Sequence, residues 1–274
     1  MSFIEAIILG LVQGLTEFLP ISSSAHLRIT GLFLPSATDP GATFTAITQI
    51  GTEIAVLLYF WKDISRIISK WFQALFGKIP KNDQDVRLGW LIIIGTIPIV
   101  AAGYFLQDLI RDNFRSLWLV AIVLIVFGIL LGLVDWIMPK VKTLKSMSWG
   151  DGLLYGVSQT LALVPGVSRS GATITMGRAL GYERSSAARF AFLLAVPAVF
   201  GSGLYELVKS TESPQVYGGL ETLVATLVAF AVGYLVIAFL MRYIEKRSFM
   251  PFVIYRILLG GTLLVLLGMG IISD

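Results

Sequence analysis

The chain of 274 residues is 56% hydrophobic and only 14% charged, with a mean hydropathy of +0.82, whereas soluble domains carry roughly 25% charged residues. This composition excludes a soluble domain and predicts an all-α integral membrane protein. No cysteine, a single histidine and a net charge of +4 exclude disulfides, thiol chemistry and a multi-histidine metal centre, and suggest no nucleic-acid partner.

Taken in order, the N-terminal MSFIEAIILG holds Glu5 and no basic residue before its apolar run. A secretory signal needs a basic start, so this segment is expected to be retained. Phe3–Leu34 is apolar but interrupted at Pro20–Ser24, leaving each side too short for the ~20 residues that a membrane crossing takes. Phe44–Trp61 has spanning length yet contains Gln49 and Glu53, four residues apart on one helical face. Leu88–Leu106 and Leu117–Ile137 follow as spans. Gly152–Leu180 is broken at Pro165–Ser170, and Ala187–Val208, Gly218–Leu240 and Phe252–Ile272 complete the set. The two broken stretches read as re-entrant helical hairpins, tolerated where protein or a polar cavity surrounds the irregular backbone.

Basic residues set the expected orientation. Lys62, Arg66, Lys70, Lys78, Lys81 and Arg87 fall in one loop, Lys140, Lys142 and Lys145 in a second, and Arg242, Lys246 and Arg247 in a third. All three are expected in the cytoplasm, with Gln107–Ser116 and Lys209–Tyr217 outside. The first hairpin then enters from outside and the second from the cytoplasm. The expected fold is thus a single membrane domain, 1–274, with an inverted-topology repeat. Each half, 1–137 and 151–272, is a hairpin followed by three transmembrane helices. Gly10-x-x-x-Gly14 before Pro20 and Ser22–Ser24 echoes Gly152-x-x-x-Gly156 before Pro165 and Ser168–Ser170, and Phe44 echoes Phe190.

Chemistry concentrates in the two breaks. Gln13 and Glu17 share a helical face, and Pro20 ends that helix. Ser22, Ser23 and Ser24 are good N-caps for a second helix, with His26 in its first turn. In the second break Ser168 or Ser170 caps the next helix, and Arg169 sits where it opposes the helix dipole unless an anion is bound. A guanidinium beside helix-terminal amides suits phosphate. Blander readings stand beside these. Arg169 could snorkel to headgroups, Glu17 could hold only the hairpin shape, and His26 could be a packed or interfacial ring. A carboxylate near the bilayer centre costs about 2.5–3.5 kcal/mol, which argues against decoration. Glu53 reads equally as a second acid of the site or a hydrogen-bonding partner, while Asp135, Asp151 and Glu206, at span ends, are expected to be solvated.

The motifs LVQGLTEFLPISSSAH and LVPGVSRSGATI, with FLLAVPA at Phe192–Ala198 and PFVIYR at Pro251–Arg256, closely resemble the undecaprenyl-diphosphate phosphatase family, also known for bacitracin resistance. The resemblance spans nearly the whole chain. It implies hydrolysis of the C55 isoprenoid diphosphate to the monophosphate, with a divalent cation, Mg²⁺ or Ca²⁺. The reaction recycles the carrier lipid of cell-wall synthesis at the outer face of the bacterial cytoplasmic membrane. By the same resemblance Glu17 is the motif carboxylate, Ser23 the nucleophile and His26 the acid/base group. Ser168, Arg169 and Thr173 bind phosphate, and Ser170, Ser22 and Ser24 are added to that subsite as neighbouring hydroxyls. Many family members carry a carboxylate where this chain has Gln13. Glu53 is expected to replace it, sharing a cation with Glu17, and Gln13 and Gln49 are expected in support.

Attack by water, or by His26 itself, remains open beside attack by Ser23. A flippase for a phosphorylated prenyl lipid is the main rival, and membrane lipids and a second copy of the chain are further candidate partners. A two-histidine lipid phosphatase conflicts with the single histidine.

Overall fold

The computed structural model describes residues 2–35, 41–105, 116–210 and 218–273, all helix, turn and loop apart from one isolated bridge between Lys142 and Tyr182. The helices are α1 (Phe3–Thr16), α2 (Ser23–Gly31), α3 (Gly41–Tyr59), α4 (Trp61–Leu75), α5 (Gln84–Phe105), α6 (Leu117–Ile137), α7 (Trp149–Thr160), α8 (Arg169–Ala179), α9 (Arg184–Ser210), α10 (Gly219–Lys246) and α11 (Met250–Gly268). Five of them, α5, α6, α9, α10 and α11, are long and apolar enough to cross a membrane, and α3 with α4 makes a sixth candidate span bent by 79°. The protein is therefore an all-helical, multi-pass membrane protein. The two loops expected outside lie beyond the described residues, except for Ser116 and for Lys209 and Ser210, which belong to the end of α9.

The broken stretches form as expected: α1 breaks to α2 and α7 to α8. Capping boxes start both leading helices, Ser2 with Glu5 on α1 and Ser148 with Asp151 on α7, satisfying amides that a helix start leaves free. α1 lies along α10, and α7 along α5. Glycine permits both approaches. A Cβ at Gly10 would come within 2.5 Å of the Ala225 carbonyl oxygen, and one at Gly156 would collide with Gly95. α3 packs between α9 and α10, and α6 pairs with α11, so the long helices enclose the two breaks.

Two expectations are corrected. Arg242 and Lys246 of the third basic loop lie on α10 and Arg87 of the first on α5, and the first is mostly helix, because Lys62, Arg66 and Lys70 sit on α4. Charged residues interrupt its apolar run, but Ile67 and Ala74 are buried on one face while Trp61, Ile68, Phe72 and Leu75 are exposed on another. Arg66 pairs with Asp63 at 2.9 Å and Asp85 at 3.1 Å, and Lys70 with Asp83 at 3.0 Å. Asp63 also pairs with Arg189 of α9.

The span-end carboxylates are not free in solvent either. Asp135 is 4% exposed and accepts from Arg178 Nε at 3.0 Å and Arg184 Nη2 at 2.8 Å. Asp151 accepts from Tyr182 Oη at 2.6 Å, and the half-buried Glu206 from Thr43 Oγ1 at 2.7 Å. Each meets a partner distant in sequence, which a local reading of the chain does not reveal.

Candidate active site

Both breaks are built alike. Ser22 and Ser168 are the only non-glycine residues with positive φ among the described residues, at 76° and 71°. Such backbone costs about 1–3 kcal/mol, and the same local bonds offset it at each break. Ser22 Oγ accepts from the Ala25 amide at 3.4 Å and lies 3.2 Å from Ser24 Oγ. Ser168 Oγ accepts from the Gly171 amide at 3.1 Å and lies 3.1 Å from Ser170 Oγ. The capping geometry therefore occupies four of the hydroxyls expected to bind phosphate. Thr173, fully buried, donates to the Arg169 carbonyl at 2.7 Å.

The two breaks touch. Ser170 Oγ lies 3.3 Å from the Glu17 carbonyl oxygen and 3.1 Å from that of Leu19. Arg256, fully buried on α11, holds both together. Its Nη1 donates to the Pro20 and Val167 carbonyls at 3.0 Å each, its Nη2 to Gly166 at 2.8 Å, and its Nε to Leu124 at 3.1 Å. Breaks leave carbonyls without helical partners, and one guanidinium with five N–H donors answers three of them and the Leu124 carbonyl of α6 besides. The sequence reading missed Arg256, although an arginine inside an apolar span is the signal that could have found it.

Between the breaks lies a buried charge cluster. Glu17 Oε2 accepts from Gln13 Nε2 and from Ser23 Oγ, each at 2.7 Å. Glu17 Oε1 accepts from Arg169 Nη2 at 2.5 Å, and the same nitrogen reaches Glu53 Oε1 at 2.8 Å. The dipole penalty expected of Arg169 is thus answered by two carboxylates of the protein itself. Gln49 is half-buried one turn before Glu53, and its side chain has no hydrogen bond among the described residues. A small cavity opens here, lined by Glu17, Phe18, Glu53, Arg169, Ser170 and Phe192. Three buried polar atoms of the cluster have no partner among the described residues: Arg169 Nη1, Glu53 Oε2 and Gln13 Oε1. Buried polar groups are costly to leave unpaired, so these atoms are where a ligand has most to gain.

His26 sits apart from that cluster. Its Nδ1 lies 2.7 Å from the Ser22 carbonyl oxygen and its Nε2 2.7 Å from Tyr255 Oη. Neither nitrogen bonds Ser23 or Arg169, and Ser23 gives its proton to Glu17 in a hydrogen bond instead. The Ser23 hydroxyl is therefore hydrogen-bonded to a carboxylate and not to the imidazole.

Among the described residues no group of three or more His, Asp or Glu is placed to hold a metal. Glu17 and Glu53, with the unpartnered Glu53 Oε2 and Gln13 Oε1, form an all-oxygen donor set. This fits a hard cation such as Mg²⁺, which is bound by one or two carboxylates with substrate phosphates completing its shell.

Residues 6–262 match the family model described as bacitracin resistance protein BacA. The chain is 63% identical over 276 residues to the undecaprenyl-diphosphatase of Micrococcus luteus, which it covers completely and by which it is completely covered. It is 65% identical over 273 residues, again with full coverage of both, to that of Clavibacter michiganensis. It is 56% identical to undecaprenyl-diphosphatase 2 of Agrobacterium fabrum, over 100% of this chain and 98% of that one. With most of its length matched by the family model, its motifs in place and its helical, broken-hairpin build, the chain belongs to the BacA bacitracin-resistance family.

Proposed function

We propose that this protein hydrolyses undecaprenyl diphosphate to undecaprenyl phosphate and inorganic phosphate within the membrane, recycling the carrier lipid of cell-wall synthesis and conferring resistance to bacitracin. The observation that carries the assignment to these residues is Arg169, whose buried Nη1 has no partner among the described residues and lies beside a serine hydrogen-bonded to a carboxylate.

The terminal phosphate enters between the breaks, and its oxygens take up Arg169 Nη1 and compete with Glu17 and Glu53 for Nη2. A guanidinium fixed in a water-poor pocket stabilises the charge that spreads over those oxygens as the anhydride breaks. Ser23 attacks the terminal phosphorus, its proton passing to Glu17, and the prenyl monophosphate leaves. His26, one turn along α2, then manages the proton of the water that releases phosphate from the serine. Attack on the lipid by a water in place of Ser23 uses the same donors. Glu17 and Glu53 would hold Mg²⁺ or Ca²⁺, which when bound supplies further positive charge to the phosphate oxygens.

The fold is read as one membrane domain of two inverted halves, 1–137 and 151–272. In support, a single offset along the chain pairs Ser2 with Ser148, Glu5 with Asp151, Gln13 with Gln159, Ser22–Ser24 with Ser168–Ser170 and Phe44 with Phe190. The same offset pairs Gly10 with Gly156, one helical turn from the pairing that glycine spacing alone suggests. Together with cytoplasmic basic loops, this reading opens the site toward the outer face of the bacterial cytoplasmic membrane.

Paired breaks also belong to transporters, so flipping of a phosphorylated prenyl lipid is the second reading. Purified protein in detergent separates the two, because hydrolysis needs no second compartment. Phosphate release from undecaprenyl diphosphate, lost on chelation, is the expected result. Intact lipid after prolonged incubation with cation would overturn hydrolysis.

A further inference from the structure

His26 is the only histidine of the chain, and both of its ring nitrogens are engaged. The Ser22 carbonyl oxygen, 2.7 Å from Nδ1, can only accept, so Nδ1 carries a hydrogen. In the neutral ring Nε2 is then a bare lone pair, and its neighbour at 2.7 Å is the hydroxyl of Tyr255. The hydroxyl must donate to it. The two rings lie within 11° of parallel, with centroids 5.5 Å apart.

Tyr255 is itself held in place. The next residue, Arg256, is fully buried and donates to carbonyls of both breaks, including that of Pro20, two residues before Ser22. The α11 turn that presents the phenol is therefore anchored to the same backbone that presents the imidazole. Tyr255 remains 43% exposed, so the pair lies at the rim rather than in the closed cluster around Arg169.

We propose that Tyr255 is a positioning residue for the reaction, fixing the tautomer and ring plane of His26 through its hydroxyl. This inference rests on the phosphatase reading given above. A phenol suits the task because its O–H serves both protonation states. It donates to the bare Nε2 of the neutral ring. In the protonated ring Nε2 carries a hydrogen of its own, and the hydroxyl, turned about its C–O bond, accepts that N–H, so the ring need not move. Both nitrogens are hydrogen-bonded in either protonation state, and the charged ring keeps an oxygen on each side.

The test compares wild type, Tyr255→Phe and His26→Ala as full-length proteins in detergent, by phosphate release from undecaprenyl diphosphate and by ¹⁵N spectra of histidine-labelled protein. With one histidine, the two ring resonances report on His26 alone. The wild-type neutral ring is expected as the Nδ1–H tautomer, with the Nε2 resonance shifted in Tyr255→Phe by loss of its donor. Because one hydrogen bond to a reacting group is removed, kcat is expected to fall about tenfold with KM unchanged. A wild-type Nε2–H tautomer, or an Nε2 resonance and kcat unaltered in Tyr255→Phe, overturns the proposal. Undiminished hydrolysis by His26→Ala would instead overturn the acid/base role of His26 in the phosphatase reading, and loss of hydrolysis in His26→Ala beside a wild-type Tyr255→Phe removes only Tyr255.

Discussion

The break at Ser22–Ser24 and the break at Ser168–Ser170 share a backbone and differ in nearly all their chemistry. Each has a capping serine with left-handed φ, each pairs that hydroxyl with the serine two residues on, and each opens a helix toward the other. Between the paired serines the first break carries Ser23 and the second Arg169. Where the first has Glu17, the corresponding position of the second is Leu163, and where α3 has Glu53, α9 has Val199. Two breaks of like build thus bring a nucleophile and acids from one side to a cation from the other. This avoids placing like charges opposite each other in a buried space, where a carboxylate pair without Arg169 would be strongly unfavourable.

That asymmetry predicts unequal responses to matched substitutions. The largest is at Glu17. Glu17→Gln should lower phosphate release by about a hundredfold or more, the range for a lost general base, while Leu163→Ala at the corresponding place should leave kcat near wild type. Equal losses would dissolve the distinction between the breaks. Within the first break, Ser23→Ala should also lose about a hundredfold. Ser24→Ala, whose hydroxyl meets Ser22, should retain most turnover.

Glu53→Gln should be milder and specific to cation dependence, raising the Mg²⁺ or Ca²⁺ needed for half-maximal rate by about tenfold, since ligand charge tunes affinity. Full activity with unchanged cation affinity would mean that Glu53 only pairs with Arg169. The smallest effect tests the shared frame. Ser22→Ala and Ser168→Ala should each cost about 1 kcal/mol of stability through cap loss, and the corresponding glycine variants only a few tenths, because glycine accepts the left-handed backbone. Thermal unfolding in detergent would show this as a lower Tm for alanine than for glycine at both sites.

Much of this arrangement was legible in the sequence because it is written in short windows. Pro20 with Ser22–Ser24, and Pro165-Gly166 with Ser168–Ser170, marked both breaks, and apolar length marked the spans. What was not legible depends on partners far along the chain. Arg256 closes on Pro20 and Val167, Asp135 on Arg178 and Arg184, and His26 on Tyr255 rather than on Ser23 three residues before it. α4 escaped notice for a different reason, since its apolar face is interleaved with Lys62, Arg66 and Lys70 and never makes a continuous run. Glu53 could be flagged as costly in an apolar helix, but only the folded chain places Arg169 against it at 2.8 Å.

The central claim is that a guanidinium from the second break acts on a phosphate presented to the first. Arg169→Ala, purified in detergent and checked for monodisperse elution and a wild-type helical circular dichroism spectrum, tests it most directly through phosphate release from undecaprenyl diphosphate. The account predicts a fall of at least about a hundredfold in kcat, as for loss of a donor to a developing oxyanion. Turnover near wild type in that folded variant would contradict it.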